Sequence, residues 1–132
     1  MKPATEYWLE SARSDLRIIE LIRSEADLTH QVAFHCQQAI EKTLKAIIEQ
    51  YRLPFVKTHS LVTLFGSISK VYSIDYDEDT IMILDQMYID ARYPGDMGLL
   101  PDGNPTIEQA SEFIETALSI YNEISLHLLD CK

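Results

Sequence analysis

Two residues stand where their chemistry could be put to use, His59 and Arg92. His59 follows Thr58 at a predicted helix start, where free backbone N–H groups and the helix dipole attract anions. Lys57 is its near neighbour, and Lys42, Lys45 and Arg52 recur along the polar edge of the preceding helix. A phosphate could be met there by backbone donors and positive charge together. The alternative role for His59 is structural, a side-chain hydrogen bond that closes the corner between two helices. Arg92 lies in Asp90-Ala91-Arg92-Tyr93-Pro94-Gly95-Asp96 and is the only base between Lys70 and Lys132. Its planar guanidinium can grip a phosphate through two parallel hydrogen bonds. It can equally pair with Asp90 or Asp96 and lock the loop, with Tyr93 packed over the bundle end.

The other histidines, cysteines and acids read as structural. His30 and His35 are five residues apart, which turns one about 140° from the other on a helix, so they do not share a metal unaided. His35, on the flank of an apolar arc, can hydrogen-bond Asp15 of the first helix. His127 lies near a helix end, where partial positive charge suits the dipole. Cys36 has only His35 beside it as a base, and adjacent helical side chains point in different directions. Asp75, Asp77, Glu78 and Asp79 are crowded but lack the spaced oxygen ligands and mid-loop glycine of a calcium loop. Neither His-Glu-x-x-His nor a glycine-rich phosphate loop ending in lysine occurs. No metal and no cofactor is called for.

These residues sit on helices nearly throughout. Apolar residues recur at steps of three and four in five stretches, at about 4–25, 29–52, 58–71, 78–92 and 106–129. The second stretch is apolar over the widest arc, which suits a central helix touching several neighbours. Pro54 ends it, Thr58 can cap the third, and Asp77 or Asp79 can start the fourth. The fourth stops before Pro94. Residues 94–105 form the one long loop, and Thr106-Ile107-Glu108-Gln109 reads as a capping box for the last helix. The expected fold is all-α, an antiparallel up-and-down bundle of four to five helices, in one domain over 1–132.

Composition agrees and narrows the partners. The chain has 132 residues, 46% of them hydrophobic, with only four Gly and five Pro. Twenty-one acids against eleven bases give a net charge of -10. Residues 1–57 are balanced, with eight of each, so residues 58–132 supply the whole imbalance. That half is a poor general surface for nucleic acid, which binds through the opposite charge. Two cysteines are too few for a disulfide framework and read as reduced thiols. With no signal-like segment and no long apolar run, the expectation is a cytoplasmic protein without a membrane span. Ile83, Ile89 and Ile120 lie on flanks that one small bundle leaves open, which predicts a homodimer.

The run Tyr7-Trp8 through Ala12 and Asp15-Leu16, then Phe34-His35-Cys36-Gln37-Gln38-Ala39-Ile40-Glu41-Lys42-Thr43-Leu44-Lys45-Ala46, then Lys57-Thr58-His59-Ser60-Leu61, then Ala91-Arg92-Tyr93-Pro94, resembles the bacterial and archaeal branch of the HEPN domain family, over about residues 5–127. The name stands for higher eukaryotes and prokaryotes nucleotide-binding. The resemblance implies a helical bundle that dimerises. It also implies a minimal nucleotidyltransferase protein as partner, in pairs that can behave as toxin and antitoxin. Active members are metal-independent ribonucleases whose motif is an arginine, four to six residues, then a histidine.

This sequence departs from that motif. Positions 97, 98 and 99 are Met, Gly and Leu, and no histidine follows Arg92 until His127. Arg52 and His59 meet the bare spacing, but at a helix corner instead of the start of the last long helix. Metal-free RNA cleavage needs a base for the 2′-hydroxyl, an acid for the leaving oxygen and a cation for the phosphorane. The expected function is therefore a non-catalytic or degenerate HEPN-like domain. It would bind a nucleotidyltransferase-type partner and a nucleotide or nucleic-acid phosphate through Lys42, Lys45, Lys57, His59 and Arg92. One alternative is a ribonuclease with a composite site, Arg92 clamping phosphate and His59 acting as base. The other is a structural helical dimer with no small-molecule ligand.

Overall fold

The computed structural model describes residues 1–92 and 103–131, and the side chain of Arg92 lies outside that description. Among the described residues there are five α-helices and no strand: α1 (Pro3–Ile22), α2 (Thr29–Gln50), α3 (Leu61–Ile68), α4 (Glu78–Arg92) and α5 (Ile107–Leu129). The all-α bundle read from the periodicity is the fold. Tyr93, Pro94, Gly95, Asp96 and positions 97–99, on which part of the motif reading rested, fall outside the described residues.

The central helix is α2, which packs against each of the other four. Thirteen of its 22 residues are buried, which explains its wide apolar arc. α1 runs antiparallel to it, so that Lys2 meets Glu49 and Gln50 while Asp15 meets Lys42. α4 is also antiparallel to α2, with Ala91 beside His30. The C-terminal end of α5 returns to the end of α2, where His127 meets Tyr51. Leu44, Ile40 and Ile47 of α2 are fully buried against Ile19, Leu64, Leu84 and Ile124 in one core. Truncating such a side chain costs about 2–5 kcal/mol.

Helix ends follow local chemistry. Pro3 opens α1 at the first position, where its missing N–H costs nothing. α1 closes at Ile22, before the expected 25, because the chain tightens into a 3₁₀ turn at Ala26–Leu28. α2 ends in a Schellman arrangement: Leu53 N–H donates to the Ile48 carbonyl at 2.9 Å and Arg52 N–H to that of Glu49 at 3.2 Å. Arg52 stands at the left-handed position with φ 53°, where glycine is the usual residue. The capping box of α5 forms as expected between Thr106 and Gln109.

α3 differs most from expectation. It begins at Leu61, with Ser60 as cap, and not at Thr58, and it stops at Ile68. Residues 51–59 instead run back alongside α2. The distance from Gln50 to Gln37 along a helix is about 20 Å, and nine residues of extended chain cover it. Ile120, expected on an open flank, is 2% exposed and belongs to the core, whereas Ile83 and Ile89 are exposed. The last helix turns Ile120 inward toward α2 along with Ala117 and Ile124.

Candidate functional site

The basic residues of α2 converge on two buried carboxylates. Asp15 of α1, its side chain 8% exposed, accepts from Lys42 Nζ at 2.7 Å and lies 2.8 Å from His35 Nδ1. The hydrogen bond expected between His35 and Asp15 is thus present. His35 and Lys42 are seven residues apart, two helical turns, so one acid on the facing helix reaches both. The second carboxylate is Glu41, 5% exposed. It accepts from Lys45 Nζ at 2.9 Å, from Gln37 Nε2 at 3.2 Å and from His59 Nδ1 at 3.1 Å. Residues 37, 41 and 45 form a stripe at steps of four, the spacing that stacks side chains along one helix face.

His59 is held at both backbone and ring. Its carbonyl accepts from Gln37 Nε2 at 2.8 Å, and its ring lies 5.2 Å from that of Tyr88 in α4. It closes the corner between α2 and α3, as the structural reading of this residue expected. Because an ionised carboxylate only accepts, the imidazole donates from Nδ1, which leaves Nε2 as the other ring nitrogen. The side chain remains 52% exposed. A carboxylate behind one nitrogen and solvent at the rim is the arrangement that orients an imidazole toward an external partner.

The start of α3 already has its anion. Asp85 of α4 accepts from Leu61 N–H at 2.7 Å, Val62 N–H at 3.2 Å and the Ser60 hydroxyl at 3.2 Å. The backbone donors expected to meet a phosphate beside His59 are therefore spent on the protein's own carboxylate. Lys42 and Lys45 are each engaged by a buried acid. Lys57 is exposed and makes no ion pair or hydrogen bond among the described residues. Arg92 closes α4 four residues after Tyr88, on the same helix face and one turn further on. Arg52 and His59 sit at opposite ends of the returning segment.

A cleft of about 280 Å³ adjoins this corner, lined by His30, Gln31, Phe34, Tyr88 and Ala91. Phe34 and Tyr88 stack at 5.9 Å, and His30 Nδ1 is buried with no hydrogen-bond partner among the described residues. Sequence reasoning missed the organising roles of Gln37, Glu41, Asp85 and Tyr88. The Gln37, Glu41, Lys45 stripe was the available signal, because a lysine one turn after a glutamate on an otherwise apolar arc demands a buried partner. Nothing local marks Asp85, whose partners are more than twenty residues away.

Other titratable groups serve structure. Burial pushes the Cys36 thiol up to about 12, with smaller opposing influences from Arg23 and Asp15. At the far end of the bundle His127 Nε2 lies 2.6 Å from the Tyr51 hydroxyl, and its ring packs on Tyr72. Burial, then a hydrogen bond to Glu123, raises the Tyr72 phenol to about 12. Among the described residues no three His, Cys, Asp or Glu side chains are grouped to hold a metal ion. None of their helices is long and apolar enough to cross a membrane.

Comparison with known proteins places the fold. The HEPN domain model matches residues 5–127. The fold is similar to that of ST0689, an archaeal HEPN homologue: 24% identity, a TM-score of 0.70, and coverage of 96% of this chain and 98% of that one. It is also similar to TT1696 from Thermus thermophilus, at 24% identity with a TM-score of 0.74, covering 94% and 98% of the two chains. No curated protein matches the sequence.

Proposed function

The chain belongs to the HEPN family, and from that premise we propose that residues 1–132 act as one HEPN-like domain that binds and does not cleave. Its partner is a minimal nucleotidyltransferase protein, and its phosphate-facing corner combines Lys57, the outer nitrogen of His59 and the position of Arg92. The observation that carries this reading is the pair of buried carboxylates. Asp15 and Glu41 hold Lys42 and Lys45 at 2.7 and 2.9 Å, so these lysines shape the corner and only its rim is left to meet a ligand. A single exposed imidazole supplies one proton-transfer group, whereas cleavage needs a base and an acid. The acidic half of the chain suits a basic partner protein. Cytoplasmic location and a toxin–antitoxin pairing accompany this proposal.

Two measurements test it: calorimetry with AMP, ADP, ATP and GTP, and capture of a minimal nucleotidyltransferase from the source cells on immobilised protein. Expected are capture of that partner and phosphate-dependent binding that is lost in His59→Ala and Lys57→Ala. Absence of both ligand and partner would refute the reading.

We also propose a homodimer, supported by Met82, Ile83 and Ile89, three exposed large apolar residues on the 15-residue α4. Sedimentation at micromolar concentration should give twice 15.2 kDa, and Ile89→Asp should return the protomer. A wild type that sediments only as a protomer would refute it.

One observation favours the alternative, a metal-independent ribonuclease. Glu41 behind His59 Nδ1 leaves Nε2 as a candidate base, and position 92 shares the α4 face of the Tyr88 that His59 touches. Cleavage of mixed-sequence RNA in EDTA, lost in folded Arg92→Ala and His59→Ala variants, would establish it. The expected result for the wild type is no cleavage.

A further inference from the structure

The segment that returns along α2 presents an aromatic ring to solvent. Phe55 is 80% exposed, the most exposed large apolar side chain among the described residues. It follows Pro54, whose ring fixes its own φ. The segment is fixed at both ends, by the Schellman bonds of Arg52 and Leu53 to α2 and by the Gln37 and Glu41 bonds to His59. The ring is thus held out on a braced stretch of chain.

Its stretch of sequence differs in charge from the rest of the chain. Between Glu49 and Asp75 the sequence has no acid, yet it carries Arg52, Lys57 and Lys70, in a chain of net charge -10. The side chains of Arg52 and Lys57, three residues before and two after Phe55, make no ion pair or hydrogen bond among the described residues. An exposed aromatic ring flanked in sequence by two exposed cations is the combination that single-stranded nucleic acid uses. A base stacks on the ring while flanking phosphates meet the cations.

We infer that Phe55, with Arg52 and Lys57, is a stacking platform for single-stranded nucleic acid. The inference deepens the phosphate-binding reading above, since Lys57 belongs to both, but Phe55 belongs to the platform alone. An acidic peptide would satisfy the two cations but brings a flat aromatic surface only at particular residues, whereas every nucleotide brings both a phosphate and a π-face.

The test is fluorescence anisotropy with fluorescein-labelled oligouridylate and oligothymidylate 12-mers, using the full chain at 50 and 200 mM salt. The wild type should bind, more weakly at the higher salt. The two probes distinguish an RNA strand from a DNA strand. Phe55→Ala should weaken binding by about 5- to 100-fold, the range of one lost base stack. Phe55→Trp should bind as well as the wild type and show emission quenched by the strand. Arg52→Gln with Lys57→Gln should lower the salt slope by about 1.4, at about 0.7 per phosphate contact. Leu126→Ala, 66% exposed at the far end of α5, is the control and should change nothing. Folding of each variant is checked by circular dichroism. Wild type that binds neither oligomer at 50 mM salt, or folded Phe55→Ala that binds as tightly as wild type, would overturn the inference. If His59→Ala removes nucleotide binding while Phe55→Ala leaves strand affinity intact, the platform falls and the phosphate site stands. If Phe55→Ala abolishes only self-association or partner capture, the ring is a protein contact and the inference is likewise overturned.

Discussion

Replacing Glu41 tests whether the candidate site is built on a buried carboxylate. Glu41→Ala removes the acceptor shared by Lys45, Gln37 and His59, at 2.9, 3.2 and 3.1 Å. Breaking a buried ion pair by deleting one partner costs about 3–5 kcal/mol, because the other charge is left uncompensated. Here the lower end applies. Lys45 is 16% exposed and can turn its ammonium to water, and its contact with the Trp8 ring at 5.4 Å holds part of the charge. Gln37, fully buried, has no such exit, although its amide keeps the His59 carbonyl. The expected loss is about 3 kcal/mol. At the unfolding entropy usual for a chain of this length, 1 kcal/mol corresponds to about 3.6 °C, so the melting temperature should fall by about 11 °C. Urea titration and calorimetry on the wild type, Glu41→Ala and Glu41→Gln measure it. Glu41→Gln, which keeps an acceptor but no charge, should lose about half as much. A drop of less than about 1 kcal/mol for Glu41→Ala would refute the claim that this carboxylate organises the corner.

Three further perturbations probe the elements that frame the site. Asp85→Ala strips three hydrogen bonds from the start of α3 and should cost about 1–2 kcal/mol in urea titration; an unchanged midpoint would mean that Ser60 caps α3 alone. Arg52→Gly relieves the left-handed strain at φ 53° and should stabilise by about 0.5–1 kcal/mol after the loss of chain stiffness; destabilisation would show that the Arg52 side chain has a contact worth more than the strain. Cys36, raised from 9.0 to about 12, stays protonated in the fold after the unfolded chain has ionised. Stability from this thiol is fully present below pH 9 and is lost as pH rises through about 12. Between pH 8 and pH 10 the wild type should lose up to about 1.4 kcal/mol more than Cys36→Ala, and equal losses would refute the assignment.

The helices were legible because each obeys rules that act within a few residues. The capping box at Thr106, the proline at Pro3 and the apolar stripe of α2 are complete in the local sequence. What was not legible depends on contacts between distant segments. α3 reads as if Thr58 began it, since a threonine before an apolar stripe is a sound cap. The chain declines that cap because Gln37, 22 residues back, takes the His59 carbonyl, and Asp85, 24 residues ahead, takes the Leu61 N–H. Spacing puts Lys42 and Lys45 on one polar edge, but an edge read from spacing does not say which acids face it. His35 with Asp15 was foreseeable because both residues lie on the long antiparallel pair α1 and α2, whose register follows from their short connection.

The placement of Asp85, Tyr88 and Arg92 on α4 gives the corner its logic. The three stand at steps of three and four, and of them Asp85 and Tyr88 meet the segment from His59 to Val62. Asp85 fills the anion-attracting start of α3, Tyr88 backs the His59 ring, and position 92 comes one turn beyond. The negative group is therefore spent inward, at the place where a phosphate would otherwise settle. Lys57, on the returning segment, makes no ion pair or hydrogen bond among the described residues. Under the proposed function, a ligand phosphate would be repelled at Asp85 and would meet the outer nitrogen of His59, the ring position that Glu41 leaves open. The acidic half of the chain supplies all of its net charge, so Asp85 adds to a field that already disfavours anions along α4 and α5.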